Sequence, residues 1–216
     1  MIGSLLYLTT SRPDLCFSGG GGCARYQANP KKSHLNAVKR ILKYVKGTIE
    51  VGLFYSKQTN QNLVGFCDVD WAGNLDDRRS TTGGCFFLGN NLVSWHSKKQ
   101  SCVSSSTAEV EYIVLGSCCT QLLSMKQMLL DYGMTSTTLL VYCDNMSAIN
   151  ISKNHVQHSR MKHIDIRHHF IRELIENKIV EISHVSSEKQ LADIFTKPLD
   201  LNSFLNLKKS ISLSEY

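Results

Sequence analysis

The sequence of 216 residues is poor in proline and lacks a Cys-x-x-Cys pair. It has only three prolines, and none lies between Leu63 and Thr196, which is consistent with one continuous folded domain over that range. Its eight cysteines form no Cys-x-x-Cys pair and mostly lie within apolar runs, where cysteine behaves as a small buried hydrophobe. These features argue against a disulfide framework and indicate a reducing compartment.

The sequence also lacks the signals of secreted and membrane proteins. No apolar stretch approaches the length of a membrane span, and the first residues lack the basic flank and small-residue cleavage site of a signal peptide. We therefore expect an intracellular protein, in the cytoplasm or nucleus, without a membrane partner. The composition, 42% apolar and 19% charged, suits a globular protein, and the net charge of +6 permits a polyanionic partner without requiring one.

Changes of pattern along the chain predict three segments: residues 1–57, residues 61–198 and a weakly patterned tail of residues 199–216. The first segment is expected to be small and mainly helical. Four glycines from Gly19 disfavour a regular helix, whereas apolar residues at three- and four-residue spacing predict a helix from Ser33 to Gly47. In the second segment the element order βββ-α-β-α-α-β-α predicts an α/β fold, with a mixed sheet flanked by helices.

Two of the predicted strands, the first and the fourth, end in the same dipeptide, Cys-Asp. The two carboxylates are Asp68 and Asp144. Ligand sites in open α/β sheets gather at the carboxyl ends of parallel strands, so these residues would be neighbours if their strands pair in parallel. Taken alone, Asp144 is better explained as a helix cap. Asp70 is predicted to lie in the turn after the first strand, where it supports the metal ligands or the structure rather than coordinating a metal directly.

Glu111 is a charged residue on the otherwise apolar stripe of the long helix predicted from Ser106 to about Asp131. Buried carboxylates are rare unless they are paired or bind a metal. The alternative is a solvated carboxylate at the positive N-terminus of the helix. Asp193 lies beside the apolar face of a final helix predicted over residues 187–195, and by itself it indicates only an exposed helical residue.

These four carboxylates would require a cation if they converged. Two like charges ~4 Å apart repel by roughly 4 kcal/mol at an effective dielectric of 20. Oxygen ligands alone favour Mg²⁺ or Mn²⁺ over zinc. Two such ions side by side activate a water molecule and stabilise the leaving oxygen in phosphodiester cleavage.

Long motifs spread from about residue 63 to residue 198 carry a family resemblance. They are FCDVDWAG (66–73), DRRSTTG (77–83), SWHSKKQ (94–100), STAEVEY (106–112), YCDNMSAI (142–149), HSRMKHIDIR (158–167) and QLADIFTKP (190–198). In this order they resemble the ribonuclease H domain of copia-type retrotransposon Pol polyproteins. Upstream, residues 3–14 and 39–48 look like the C-terminal, thumb- or connection-like end of the reverse transcriptase that precedes this domain.

The resemblance implies a ribonuclease H-like five-stranded mixed sheet flanked by helices. It also implies cleavage of the RNA strand of RNA–DNA hybrids by two-metal phosphodiester hydrolysis, with two Mg²⁺ or Mn²⁺ ions and no small-molecule cofactor. By motif position, the catalytic and metal-binding residues are Asp68, Glu111, Asp144 and Asp193. The implied partners are the hybrid and the upstream reverse transcriptase of the parent polyprotein.

Basic residues near these motifs are expected to contact phosphates, which positions a duplex without reading its sequence. They are Arg78, Arg79, Lys98, Lys99, Arg160 and Lys162. Two other functions stay open. One is a catalytically inert or domesticated remnant that binds duplexes without cleavage, which the glycine run favours. The other is a zinc module built from His155, His158, His163 and His168, although their spacing fits no standard zinc pattern.

Overall fold

The computed structural model describes residues 1–73, 78–100, 106–134, 139–153 and 165–215. The first segment is mainly helical and contains α1 (Ile2–Leu8), α2 (Lys32–Lys46) and a short strand, β1 (Val51–Leu53). The glycine run lies in a π-helix (Cys16–Gly22), which is wider than an α-helix. The glycines therefore exclude a regular α-helix, as predicted, but the backbone stays helical through them.

A five-stranded mixed sheet forms the centre of the fold. Its strands are β2 (Leu63–Asp70), β3 (Thr81–Leu88), β4 (Asn91–Lys99), β5 (Leu139–Cys143) and β6 (Val180–His184). Their spatial order is β4-β3-β2-β5-β6. The first three strands pair antiparallel, and β5 and β6 run parallel to β2. The predicted five-stranded mixed sheet flanked by helices is confirmed.

The long helix α3 (Thr107–Asp131) packs along β2 and β5, beside the shorter helices α4 (Met146–Lys153) and α5 (Asp165–Glu176). Gly65 permits this close packing, because a Cβ atom there would lie 2.8 Å from the Sγ atom of Cys118. Contrary to the expectation that no apolar stretch approaches the length of a membrane span, α3 is by length and composition apolar enough to cross a membrane, and it is the one such helix in the described ranges. Core helices of soluble proteins meet the same criterion, and α3 contributes eight buried side chains to the hydrophobic core.

The end of the first segment and the tail of the chain meet on the other side of the sheet. The tail forms α6 (Leu201–Ser210) and β7 (Leu213–Glu215), and β7 pairs antiparallel with β1. The tail is therefore more regular than its weak sequence pattern predicts. Cys16, Phe87, Phe195 and Leu207 share one hydrophobic cluster, so the first segment, the sheet and the tail bury a common core. The domain limits at residues 57, 61 and 198 remain predictions.

The single helix predicted over residues 187–195 is wrong, because the chain forms two short 3₁₀ helices there, Ser187–Lys189 and Leu191–Phe195. Gln190 separates them with an extended backbone. Its Oε1 atom accepts a hydrogen bond from the Ala192 amide at 3.2 Å, and its Nε2 atom donates to the Cys67 carbonyl at 3.0 Å. These bonds hold the chain to β2 and replace the hydrogen bonds of a continuous helix.

Candidate metal centre

Asp68 and Asp144 lie at the same end of the sheet. Their strands pair in parallel with Phe66 opposite Tyr142, so each carboxylate follows that pair by two residues. The predicted parallel pairing is therefore present. Asp68 is still within β2 and is buried, whereas Asp144 is half-buried and accepts a 3.0 Å hydrogen bond from the Ser187 hydroxyl.

Glu111 approaches the same point from the first turns of α3. The helix begins at the predicted cap, where the Ser106 hydroxyl accepts a hydrogen bond from the Glu109 amide at 3.2 Å. Glu111 is only 6% exposed, and its Oε2 atom has no hydrogen-bond partner among the described residues. Burial raises the pKa of Glu111 to about 10, and Cys143, Asp68 and Asp144 add to that effect.

The 3₁₀ helix Leu191–Phe195 brings in Asp193 as the fourth carboxylate. Asp193 is 7% exposed rather than exposed on a helix surface, and its Oδ1 atom is buried without a partner in the described structure. Lys197 lies 2.9 Å from Asp193 Oδ2 and 3.9 Å from Asp68 Oδ2. Burial, with the Asp68 charge, raises the pKa of Asp193 to about 7 although Lys197 opposes the shift.

Three further residues, which the sequence analysis did not single out, place Asp193 beside Asp68. Gln190 ties the 3₁₀ helix to β2, and the Thr196 hydroxyl donates a 2.5 Å hydrogen bond to Asp68 Oδ2. Gly83 lies opposite Asp68 on β3, where a Cβ atom would be 2.6 Å from Thr196 Cγ2. Gln190 and Thr196 belong to the QLADIFTKP motif, and this motif is the sequence signal that could have identified them as residues of the site.

The donor atoms of the four carboxylates suit a hard divalent cation, but the structure does not bring all four equally close together. The closest group of possible ligands in the described residues contains Glu111 and Asp144, whereas the Lys197 ammonium group contacts both Asp68 and Asp193. The four carboxylates come from elements far apart in the sequence, and two of their oxygens are buried without a hydrogen-bond partner among the described residues. Buried carboxylates of this kind are costly unless a cation or a proton compensates them. The donors are oxygen atoms, which suit Mg²⁺ and Mn²⁺. Asp68, Glu111, Asp144 and Asp193 would be the holding residues.

The chain matches no model of a known protein family. It is 39% identical over 214 residues to the retrovirus-related Pol polyprotein from transposon RE2 of Arabidopsis thaliana. It is 37% identical over 213 residues to that from transposon TNT 1-94 of Nicotiana tabacum. These alignments cover 99% and 98% of this chain. The chain belongs to the retrovirus-related Pol polyproteins of copia-type transposons.

This Pol segment spans only 15% to 16% of the length of those two relatives. Among solved structures it is similar to LC11-RNase H1 in complex with an RNA/DNA hybrid, with a TM-score of 0.46 and 14% identity. That similarity covers 62% of this chain and 94% of the other.

Cys143 is an additional neighbour of the carboxylates in this Pol segment. The possible ligand atoms of Glu111, Cys143 and Asp144 all lie within 4.8 Å of one another. A hydrogen bond with the Cys67 thiol, together with burial, raises the pKa of Cys143 well above its usual range. A neutral thiol is a poor ligand for Mg²⁺, so Cys143 acts as a packing residue, as its apolar context predicts.

Asp70 differs from its predicted place in a turn, because it is the last residue of β2. Its carboxylate folds over Gly73, where a Cβ atom would collide with it. Burial raises the pKa of Asp70. The side chain therefore packs against the turn that follows β2, which agrees with a structural role.

Four of the predicted phosphate contacts lie at the end of the sheet that carries the carboxylates. Lys98 and Lys99 pair with the start of β3, which in turn pairs with Val69 and Asp70. Arg78 and Arg79 are exposed just before β3. The remaining predictions, Arg160 and Lys162, lie outside the described residues, as do His155, His158 and His163 and the side chain of His168.

Proposed function

We propose that this Pol segment is a metal-dependent ribonuclease H that cleaves the RNA strand of RNA–DNA hybrids during retrotransposon reverse transcription. The observation that carries the proposal is the buried carboxylate of Glu111, whose Oε2 atom has no hydrogen-bond partner among the described residues, beside Asp68 and Asp144 at the ends of two parallel strands. Membership in the Pol family supports this substrate. It also supports an intracellular setting and the reverse transcriptase of the parent polyprotein as partner.

In this proposal Asp68, Glu111, Asp144 and Asp193 hold two Mg²⁺ or Mn²⁺ ions. Bound ions of this type activate water and offset the charge on the reacting phosphate. Thr196 keeps one oxygen of Asp68 engaged, so the other oxygen stays available. Exposed basic residues at the same end of the sheet, such as Arg78 and Lys98, contact the hybrid backbone.

The test is cleavage of an RNA–DNA hybrid by the full chain in Mg²⁺, with an EDTA control. Asp68→Asn and Glu111→Gln are each expected to lower cleavage by more than about a hundredfold, because loss of even an outer partner of a metal site costs 10–100-fold. Asp131→Asn, at the exposed distal end of α3, is the matched control and is expected to keep full activity. Thermal unfolding establishes that each variant folds.

Two outcomes would contradict the proposal. Substantial activity in either variant would remove the assigned mechanism. Tight hybrid binding by the unaltered chain, without cleavage in Mg²⁺ or Mn²⁺, would instead support the inert duplex-binding remnant. Zinc found by elemental analysis of the purified protein would revive the zinc-module alternative.

A further inference from the structure

The positive charge of the chain is concentrated in residues 15–49, which we term the basic segment. It contains seven Lys and Arg residues and no Asp or Glu. The rest of the chain holds 17 of the 24 Lys and Arg and all 18 Asp and Glu, so its net charge is −1. The overall charge of +6 therefore comes entirely from this segment.

Helix α2 arranges four of these charges in a stripe. Val38 and Ile41 are buried, and the lysines lie on the opposite side of the helix, where they are exposed. The stripe consists of Lys32, Lys39, Lys43 and Lys46. At a rise of 1.5 Å per residue it is about 21 Å long. The basic segment offers these lysines no acidic partner, so their charge is available to an external anion.

The basic segment borders the carboxylate site at two places. Arg25 donates a 3.2 Å hydrogen bond to the Thr81 hydroxyl, and Thr81 pairs with Asp70 at the end of β2. On another side, Arg40 and Tyr44 of α2 line a cavity of about 350 Å³ together with Lys197. Helix α2 and Lys197 therefore line the same cavity, and Lys197 is the residue whose ammonium group contacts Asp68 and Asp193.

Buried polar contacts fix α2 relative to the preceding chain. Arg12 and Asp14 form a buried, two-bond ion pair of 3.0 and 2.7 Å. The Tyr44 hydroxyl donates to Asp14 at 2.6 Å, and Arg12 donates to the Thr48 carbonyl at 2.9 Å. These contacts hold the C-terminal end of α2, so the lysine stripe has a set orientation to the carboxylate site.

We propose that the basic segment is a second phosphate-binding surface for the hybrid, with the α2 stripe contacting the nucleic-acid backbone. The inference rests on the proposed function. Its physical basis is charge complementarity. The four carboxylates repel a polyanion, and the chain outside the basic segment has no excess of positive charge that could offset this repulsion. The surface would supply affinity and orientation without sequence preference.

The experiment compares two triple variants in hybrid binding, measured by fluorescence anisotropy in EDTA so that no cleavage occurs. The stripe variant carries Lys39→Gln, Lys43→Gln and Lys46→Gln. The control variant carries the same change at three lysines near the opposite end of the sheet, namely Lys57, Lys126 and Lys178. The stripe variant is expected to bind about tenfold more weakly or worse near 0.1 M salt, and its salt dependence should decrease by roughly two to three in slope.

The outcomes separate this inference from the proposed function. Equal affinity and equal salt slope in the two triple variants would overturn the binding surface, whether or not the chain cleaves hybrids. Weaker binding by the stripe variant alone would support the surface even if cleavage were absent. Binding of the unaltered chain to anionic vesicles through the same lysines, with no binding to the hybrid, would also overturn it. Unchanged thermal unfolding of the stripe variant excludes misfolding as the cause.

Discussion

Thr196 donates a hydrogen bond to Asp68 Oδ2 although the two residues are 128 positions apart in the sequence. Both are buried. The bond joins the 3₁₀ helix that carries Asp193 to the strand that carries Asp68. The candidate metal centre thus depends on a contact between the first strand of the sheet and a segment near the end of the chain.

The first prediction concerns this hydrogen bond. Thr196→Val keeps the shape of the side chain and removes the donor, so Asp68 loses its fixed orientation. A hydrogen bond to a charged group is worth about 1.5–3 kcal/mol, and we expect Mn²⁺ affinity to fall about tenfold or more. Calorimetric titration of Mn²⁺ measures this change. Thr196→Ser should restore affinity; failure of serine to do so would show that the methyl group, not the hydroxyl, matters.

The second prediction concerns the space that Gly83 provides. Gly83→Ala would place a Cβ atom 2.6 Å from Thr196 Cγ2 and 2.7 Å from Phe195 Cβ. The 3₁₀ helix must then move, at a cost of about 1–3 kcal/mol in the free energy of unfolding. Urea denaturation measures that loss. Gly3→Ala is the control without a steric clash, because nothing lies within 4 Å of its Cβ position; since Gly3 lies in α1, where alanine is favoured, this variant should be at least as stable as the unaltered protein. Equal stability of the two variants would contradict the packing argument.

The third prediction concerns Lys197, whose ammonium group lies among the carboxylates. In the absence of metal it offsets the charge of Asp68 and Asp193, whereas it repels an incoming cation. Lys197→Met should therefore lower the thermal stability of the EDTA-treated protein and raise Mn²⁺ affinity about tenfold, which corresponds to 1.4 kcal/mol. Lower affinity in this variant would instead show that Lys197 supports the metal-bound geometry.

Local patterns were sufficient to predict the sheet and most of the carboxylate set. The Cys-Asp repeat at the ends of β2 and β5 predicted that Asp68 and Asp144 are neighbours if those strands pair in parallel, and they do pair in parallel. Glu111 was recognisable because a charge interrupts an apolar helical stripe. In each case the prediction depended on a pattern among residues close together in the sequence, with the strand period of two or the helix period of 3.6.

Contacts between distant segments could not be predicted in the same way. Gln190 interrupts the helix predicted over residues 187–195 through a bond to the Cys67 carbonyl, which lies on a strand more than a hundred residues earlier. The short strand β7 forms only because β1 is available as its partner. Asp193 looked exposed by its helical position, but packing of the 3₁₀ helix against β3 buries it. These features depend on tertiary structure that local propensity does not encode.

The last prediction is a pH dependence of stability in EDTA. Folding raises the pKa of Glu111 from 4.5 to about 10 and that of Asp193 from 3.8 to about 7, in both cases mainly through burial. The folded state then binds more protons than the unfolded state above the ordinary pKa values. The contribution of these two groups to stability is therefore greatest at low pH and falls as pH rises, by at most about 1.4 kcal/mol per pH unit for each group.

Thermal unfolding in EDTA between pH 5 and pH 8 measures this dependence, and Glu111→Gln should reduce its slope because glutamine does not titrate. Saturating Mg²⁺ should restore the stability of the unaltered protein at pH 8, since a bound cation compensates the ionised carboxylates. It should restore the variant less, because one of its ligands is missing. A stability profile with the same slope in both proteins would contradict the burial of an uncompensated Glu111 carboxylate and, with it, the strongest structural argument for a metal at this site.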